Sequence, residues 1–234
     1  MRTEILVKLQ QEAEEKYQKF SAKLLPPNIK LFGVRIPKLR QLAKQLQKEG
    51  RAEEYLRVPV SEFEYQEELM LYSLLVAQNK DAQKIERIKN FVPYINSWAV
   101  CDIFCSSLKD AKKQQKIYWD CFKVYTQSSK EYEIRFFYVL ALSYFINDEY
   151  LDKIFSLIQK QKYKGFYDKM AVAWLLSMMF VKYPKATENF LLNTPLDEFV
   201  FRKSISKVCD SYQISKEAKI RLRTLASKKA TKNN

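Results

Sequence analysis

The sequence of 234 residues contains no histidine and only three glycines. The lack of histidine excludes Ser-His-Asp and Cys-His nucleophile systems and His-ligated zinc. A general base would therefore have to be Asp, Glu, Lys, Tyr or a thiolate. With so few glycines there is neither a glycine-rich phosphate loop nor a dinucleotide fingerprint, so the usual ATP, GTP and NAD enzymes are not expected. The same scarcity argues against an all-β protein, which needs many tight turns.

Cysteines and long apolar runs are also few. The four cysteines do not follow zinc-binding spacings, since Cys101 and Cys105 lie one helical turn apart, and the other two are Cys121 and Cys209. We interpret them as buried free thiols in a reducing cytoplasm and expect no metal site. No signal peptide opens the sequence, and no apolar run reaches the ~20 residues that a membrane span requires. We therefore expect a cytoplasmic protein with no membrane partner.

Positive charge, in contrast, is abundant. The formal net charge is +14, from 41 lysines and arginines against 27 acidic residues. This excess favours a polyanion as partner, because cations that neutralise phosphates release counterions. A basic protein that is merely well solvated is the alternative. A membrane surface is disfavoured, because no segment combines a basic face with a separate hydrophobic face.

Helical periodicity runs through nearly the whole chain. It predicts one continuous first helix from Thr3 to Leu25, ended by two prolines. Pro37 lies where a first-turn proline belongs, and Gly50 is placed to end the same helix. Polar residues that can cap a helix then mark where the next helices start.

Ser61 followed by Glu64 predicts a capping box for a helix from Phe63 to Gln78. Ser97 predicts the N-cap of a helix that begins at Trp98. The remaining helical segments predicted from periodicity are 111–127, 130–147, 149–161, 166–183, 185–193, 196–212 and 215–226.

These segments amount to about a dozen helices, or helix pairs of roughly forty residues, which is the length class of HEAT and armadillo repeats. We therefore predict an all-α fold, a HEAT-like helical-repeat solenoid (an α-α superhelix) with a basic concave face. It would form a single domain over residues 1–226, with a frayed basic tail at 227–234. A compact irregular helical bundle follows the same patterning and is the alternative.

Trp98 and Asp102 lie at the edge of an otherwise apolar helix face. At about 100° per residue, they are neighbours one turn apart at the border of the arc that includes Val100 and Phe104. A tryptophan and a carboxylate would thus share a boundary between core and solvent. The alternative is structural, with Trp98 in the core and Asp102 capping the helix or pairing with a neighbour.

Arg135 falls in a row that is otherwise apolar, so it needs either a phosphate or a buried ion-pair partner such as Asp102 or Glu131. Trp174 shares a face with Met170 and other apolar residues and is a second aromatic candidate, with a place in the core as the alternative.

Basic residues cluster at predicted helix starts and ends. In a solenoid, recurring positions fall along one curved face, and a basic concave face would follow a DNA duplex. A solvated lysine surface is the alternative. The clusters are Lys38, Arg40 and Lys44; Lys112, Lys113 and Lys116; Lys160, Lys162 and Lys164; Lys203 and Lys207; and Arg221 and Arg223.

Four segments resemble, in the same order, elements of the AlkD-like DNA alkylation repair proteins, a family of DNA glycosylases. They are Phe32–Arg40, similar to a GVR.P.LR element; Asn96–Asp102, similar to a Trp-x-x-x-Asp element; Glu133–Phe136, similar to the helix of the active-site arginine; and Lys169–Trp174, similar to the second tryptophan segment. Each motif is short, but the ordered set is fairly specific, and the similarity extends over nearly the whole chain.

The resemblance implies hydrolytic excision of cationic N3- and N7-alkylated purines from double-stranded DNA, without a base-flipping pocket. It also implies site roles. Trp98 and Trp174 would pack against the deoxyribose, Asp102 would stabilise the oxocarbenium-like sugar and position water, and Arg135 would hold the backbone or orient Asp102. We expect contacts with the DNA backbone from five cations, Arg35, Lys38, Arg40, Lys169 and Lys203. We expect no cofactor of any kind, nucleotide cofactors included, and we expect the protein to be a monomer.

Two features differ from the pattern of active relatives. Ala99 follows Trp98, where active relatives have an acidic residue, and the first 25 residues read as one helix, where active relatives have two short helices that they use against the lesion. The sequence is therefore similar to a divergent subset of the family. The alternatives to the enzyme are a non-catalytic DNA-binding protein for distorted or branched DNA, and a protein-interaction scaffold.

Overall fold

The computed structural model describes residues 1–232, except the side chains of 225 and 228–232. The described chain is helical and contains no β-strand beyond an isolated parallel bridge between Lys30 and Tyr65. The predicted all-α fold class is thereby confirmed. The chain divides into two compact units, Met1–Lys113 and a second that begins at Gln114. The last helix extends to Lys232, and the end of the predicted tail, residues 233 and 234, lies outside the described residues.

The first unit is built from α-helices joined by short loops and 3₁₀ turns. Its helices are α1 (Arg2–Gln11), α2 (Glu15–Ala22), α3 (Ile36–Lys48), α4 (Ala52–Leu56), α5 (Gln66–Gln78), α6 (Lys84–Phe91) and α7 (Trp98–Ser107). Its 3₁₀ turns are Val60–Glu62, Val92–Tyr94 and Lys109–Lys112.

The N-terminal segment is two helices, and the prediction of one continuous helix was wrong. The chain leaves α1 after Gln11 and begins α2 at Glu15. The break is tertiary in origin, because the N–H of Glu14 donates to the carbonyl of Gly33 at 3.1 Å instead of continuing the helical ladder. The side-chain amide of Gln18 also donates to the carbonyl of Leu31 at 2.7 Å. The segment before residue 23 therefore consists of two short helices.

Helix α5 is the centre of the first unit. It packs against α3 on one side and α7 on the other, with α4 and α6 beside it. Every residue from Gln66 to Ala77 is buried, since the helix is covered all round. Its predicted start at Phe63 was three residues early. Tyr65 is extended and the N–H of Gln66 donates to the carbonyl of Lys30 at 2.9 Å, so the helix begins only after this contact.

The second unit has the same plan of helices and short connections. Its helices are α8 (Gln115–Phe122), α9 (Glu131–Tyr144), α10 (Asp148–Gln159), α11 (Phe166–Lys182), α12 (Pro184–Asn193), α13 (Glu198–Asp210) and α14 (Lys216–Lys232), and Lys123–Gln127 forms a 3₁₀ turn.

Within this unit α11 packs between α9 and α13, while α12 and α14 lie beside this stack. Residues Ile134–Ala141 of α9 are all buried, because α9 is covered on nearly all sides. Trp119 is a core residue, in contact with the rings of Phe137, Phe145 and Tyr150. In each unit a helix therefore stacks on the next but one along the chain, which is the packing of helical repeats.

The cysteines are free thiols, three of them buried and Cys121 partly exposed. Among the helices of residues 1–232, none is long and apolar enough to cross a membrane.

Candidate active site

Trp98 and Asp102 lie at the start of α7, and both are partly buried. The Ser97 side chain accepts the N–H of Val100 at 3.3 Å, so the predicted N-cap is confirmed. Val100 and Cys101 are fully buried and mark the core-facing side of the first turns of α7. Trp98 and Asp102 lie beside that buried side and are less deeply buried. The two side chains are one turn apart at the core boundary, as the sequence predicts.

The segment that follows α2 is fastened to Trp98. The indole N–H donates to the carbonyl oxygen of Leu24 at 3.0 Å. Nearby on α2, Phe20 is 60% exposed and no residue of this helix is buried. The segment with the exposed apolar side chains Phe20 and Leu24 thus borders the Trp98 side of the first unit.

The loop before α3 is held by a buried carboxylate. Glu67 accepts the backbone N–H groups of Phe32, Gly33 and Val34 at 3.1, 2.7 and 3.1 Å. Gly33 has φ +90°, a left-handed conformation that favours glycine, and an added Cβ would lie 2.6 Å from the Cβ of Gln18. These contacts fix the backbone from which the predicted DNA-binding cations extend.

Two of those cations are paired with glutamates of the connection between α1 and α2. The Nε of Arg35 lies 2.9 and 3.0 Å from the carboxylate oxygens of Glu14, and its guanidinium stands 4.7 Å from the centre of the Tyr17 ring. This hydrogen bond holds the pKa of Glu14 below its ordinary value. The Nζ of Lys38 lies 3.2 Å from Oε2 of Glu12.

Arg40 lies at the other end of α7 from Trp98. Its Nη1 donates to the hydroxyl of Ser107 at 3.2 Å, and Ser107 is the last residue of that helix. The structure therefore places Arg40 at the opposite end of α7 from Trp98.

Arg135 is only 5% exposed and fastens α9 to the start of α11. Its Nη1 donates to the carbonyl oxygen of Tyr167 at 3.0 Å. One turn before it on α9, Glu131 accepts the N–H of the same Tyr167. Side chains of α9 thus bind both the N–H and the carbonyl oxygen of Tyr167. These two hydrogen bonds fix the start of α11, the helix that carries Lys169 and Trp174.

The first turn of α11 is closed by a second carboxylate. Asp168 is fully buried and accepts the N–H groups of Lys164 and Gly165. Burial raises the pKa of Asp168, and the backbone hydrogen bonds oppose this shift. A Cβ added at Gly165 would collide with the carboxylate of Glu131, so a side chain there would displace the group that accepts the N–H of Tyr167.

Trp174 is partly exposed and lies on α11 with Met170 one turn before it and Met178, which is 38% exposed, one turn after. Lys169 forms an ion pair with Asp197 at 2.8 Å. Lys203, on α13, is partly buried. Each unit thus carries one partly exposed tryptophan together with its own set of cations.

The sequence profile of a family described as DNA alkylation repair enzyme matches residues 5–219, which include all the sites above. The chain belongs to the DNA alkylation repair enzyme family. Among curated proteins, none matches the sequence. The family match spans both units and carries DNA repair as the general function, with DNA as the substrate.

In this family member, sequence reasoning missed residues that act through the backbone. Glu67 is one of two adjacent glutamates at the start of a helix that is mostly apolar beyond them, which is a visible signal for a buried polar contact. Asp168 had a local signal too, since it stands three residues after Gly165 at a helix start. The partners of Arg35 and Lys38 had no such signal, because Glu12 and Glu14 were assigned to the middle of a helix.

Proposed function

We propose that the protein hydrolyses the N-glycosidic bond of cationic N3- and N7-alkylated purines in double-stranded DNA, without a base-flipping pocket. The observation that carries the proposal is the pairing of Trp98 with Asp102, one turn apart and partly buried, in a chain that belongs to the DNA alkylation repair enzyme family. The two N-terminal helices support it, since the resemblance implies that active relatives place such helices against the lesion.

The reaction needs only what these side chains offer. Cleavage of the bond between C1′ and the purine nitrogen builds positive charge on the sugar, and the bonding electron pair neutralises the alkylated base as it leaves. The carboxylate of Asp102 stabilises the charged sugar and orients the water that adds to C1′, and the indole face of Trp98 packs against the deoxyribose. The water proton passes to solvent.

The roles of Trp174 and Arg135 come from the resemblance. Trp174 would supply a second aromatic face for the deoxyribose, and its partial exposure fits a role in contact with DNA. Arg135, which is buried and donates to the carbonyl of Tyr167, would hold the DNA backbone or orient Asp102. Arg35, Lys38, Arg40, Lys169 and Lys203 would bind phosphates of the duplex, which matches the large positive net charge.

A duplex that contains N7-methylguanine tests the proposal. The wild-type protein should release the free base, and Asp102→Asn should lower the rate about 100-fold or more, as the loss of an electrostatic stabiliser does in other enzymes. Asp152→Asn is the matched control, because it makes the same change at an exposed position of α10. No release by the wild type, or undiminished release by Asp102→Asn, would contradict the proposal.

Ala99 favours one second candidate, a DNA-binding protein without excision activity, because active relatives carry an acidic residue there. In that case the wild type would bind duplex in a salt-dependent way but release no base, and Asp102→Asn would bind as well as the wild type.

A further inference from the structure

Four aromatic rings lie in a row where the neighbouring helices α9, α11 and α13 begin. Tyr132, Tyr167 and Phe199 are each the second residue of their helix, and Phe166 is the first residue of α11. The centres of successive rings are 5.4 Å apart for Tyr132 and Tyr167, 5.2 Å for Tyr167 and Phe166, and 5.4 Å for Phe166 and Phe199. None of these four residues is buried, in contrast to Trp119 and the rings around it in the core. This aromatic row therefore borders solvent.

Phe166 is the most open ring of the aromatic row, with 54% of the residue exposed. It meets Tyr167 and Phe199 edge to face, with angles of 85° and 61° between the ring planes, and these contacts hold it in one orientation. An apolar ring gains free energy when it leaves water, and a ring that is already fixed loses little conformational freedom on binding. Phe166 is thus suited to contact a second flat apolar surface.

The connection that leads from α10 into Phe166 carries a lysine at every second position. The carboxylates of Asp168 and Asp197 are engaged by other groups, since Asp168 accepts backbone N–H groups and Asp197 pairs with Lys169. The lysines of the connection are exposed, and none forms an ion pair with a carboxylate in the described part of the chain; they are Lys160, Lys162 and Lys164. Positive charge beside Phe166 is therefore left for an external anion.

We propose that Phe166 binds single-stranded DNA by stacking on an unpaired base. A nucleotide combines the two properties that this surface selects, a flat π-face on the base and a negative charge on the phosphate. Lys164 lies two residues before Phe166, at most about 7 Å along the chain, so it can reach a phosphate next to the stacked base. A base inside a duplex is stacked on both sides and cannot offer its face, so the site distinguishes a single strand from an intact helix. The inference takes DNA as the ligand from the family match and is independent of the proposed excision reaction.

Binding of oligothymidylate tests the site, with an abasic strand of the same length and charge as the reference ligand. Phe166→Ala should weaken binding of oligothymidylate by about fivefold or more, the loss expected for one stacked base, and Phe166→Trp should restore it. The affinities for the abasic strand and for a blunt duplex should stay unchanged in Phe166→Ala, because neither ligand offers an unpaired base. Tyr212→Ala is the matched control and should bind like the wild type, since it removes a fully exposed ring just beyond the far end of α13.

A photochemical crosslink tests the same contact in the wild-type protein, so the result does not depend on how well a variant folds. When 5-iodouracil replaces one thymine, irradiation joins its C5 to an aromatic side chain stacked on it, with loss of hydrogen iodide. The crosslink should map to Phe166. A crosslink that maps only to other residues overturns the site, and so does a loss of affinity in Phe166→Ala that is equal for oligothymidylate and the abasic strand.

The outcomes for this site and for the proposed function are distinguishable. If the wild type releases N7-methylguanine from duplex but does not bind oligothymidylate, the stacking site is wrong and the glycosylase proposal stands. If it releases no base but binds oligothymidylate in a way that depends on Phe166, the glycosylase proposal fails and the stacking site stands. Tighter binding of oligouridylate than of oligothymidylate would assign the site to RNA and overturn the DNA assignment.

Discussion

The indole N–H of Trp98 donates a hydrogen bond of 3.0 Å to the carbonyl oxygen of Leu24, which fastens the segment after α2 to the start of α7. Trp98→Phe keeps an aromatic face but removes this bond, whose net contribution is about 0.5–1.5 kcal/mol. We expect the segment after α2 to open more often. Cleavage by trypsin after Lys23 under native conditions should become faster, and release of N7-methylguanine should fall.

Trp119→Phe is the control for that change, because Trp119 is buried among aromatic rings of the second unit. It should lower the Tm without faster cleavage after Lys23. Equal cleavage in the wild type and Trp98→Phe would show that the hydrogen bond does not hold the segment.

Glu14→Gln tests whether the carboxylate of Glu14 competes with DNA for Arg35. With the ion pair removed, Arg35 becomes available to a phosphate, and affinity for undamaged duplex at low salt should rise by about threefold, a modest gain for one added phosphate contact. Glu15→Gln is the control, because it removes one negative charge at the neighbouring position, from an exposed ion pair with Lys19. It measures the effect of the change in net charge alone. A rise of the same size in both variants would rule out competition at Arg35.

Gly33→Ala and Gly50→Ala compare two left-handed glycines with different surroundings. Gly33 has φ +90° and no room for a Cβ, whereas Gly50 has φ +70° and no atom within 4 Å of an added Cβ. Backbone strain costs about 1–2 kcal/mol at either position, and overpacking adds about 1–3 kcal/mol at Gly33. Urea unfolding should show the larger loss of free energy for Gly33→Ala. Similar losses would mean that α2 moves aside for the methyl group.

Acid should weaken the ion pair between Glu4 and Arg51, whose closest atoms are 2.5 Å apart. The hydrogen bond from Arg51 lowers the pKa of Glu4 from 4.5 to about 2. A carboxyl with a lowered folded-state pKa stabilises the fold above its unfolded value and loses that contribution as pH falls toward 2. The difference in urea midpoint between wild type and Glu4→Gln should therefore be largest above pH 5, shrink below it and vanish near pH 2. A difference that persists at pH 2 would exclude the ion pair as its cause.

Local signals predicted much of the fold. Pro37 lies in the first turn of α3, Gly50 follows its end with φ +70°, and Ser97 caps α7, because each of these effects acts within a few residues. The break between α1 and α2 could not be predicted in this way. It depends on a hydrogen bond from Glu14 to Gly33, nineteen positions later in the chain, and periodicity carries no information about that contact.

In the candidate site too, local features could be predicted from the sequence and tertiary contacts could not. The border position of Trp98 and Asp102 and the out-of-place Arg135 follow from helical spacing alone. Arg135 donates to the backbone carbonyl of Tyr167. Every residue has a backbone carbonyl, so the sequence does not show which one accepts this bond. Partners of this kind become visible only when the helices are packed.

Glu67 holds three successive peptide N–H groups although Phe32, Gly33 and Val34 belong to no helix or strand. Their amide protons should exchange with deuterated water as slowly as those inside α5, because they are released only when that buried helix moves. Such slow exchange would make the stretch that leads into Arg35 as rigid as the core to which it is attached, despite its irregular backbone.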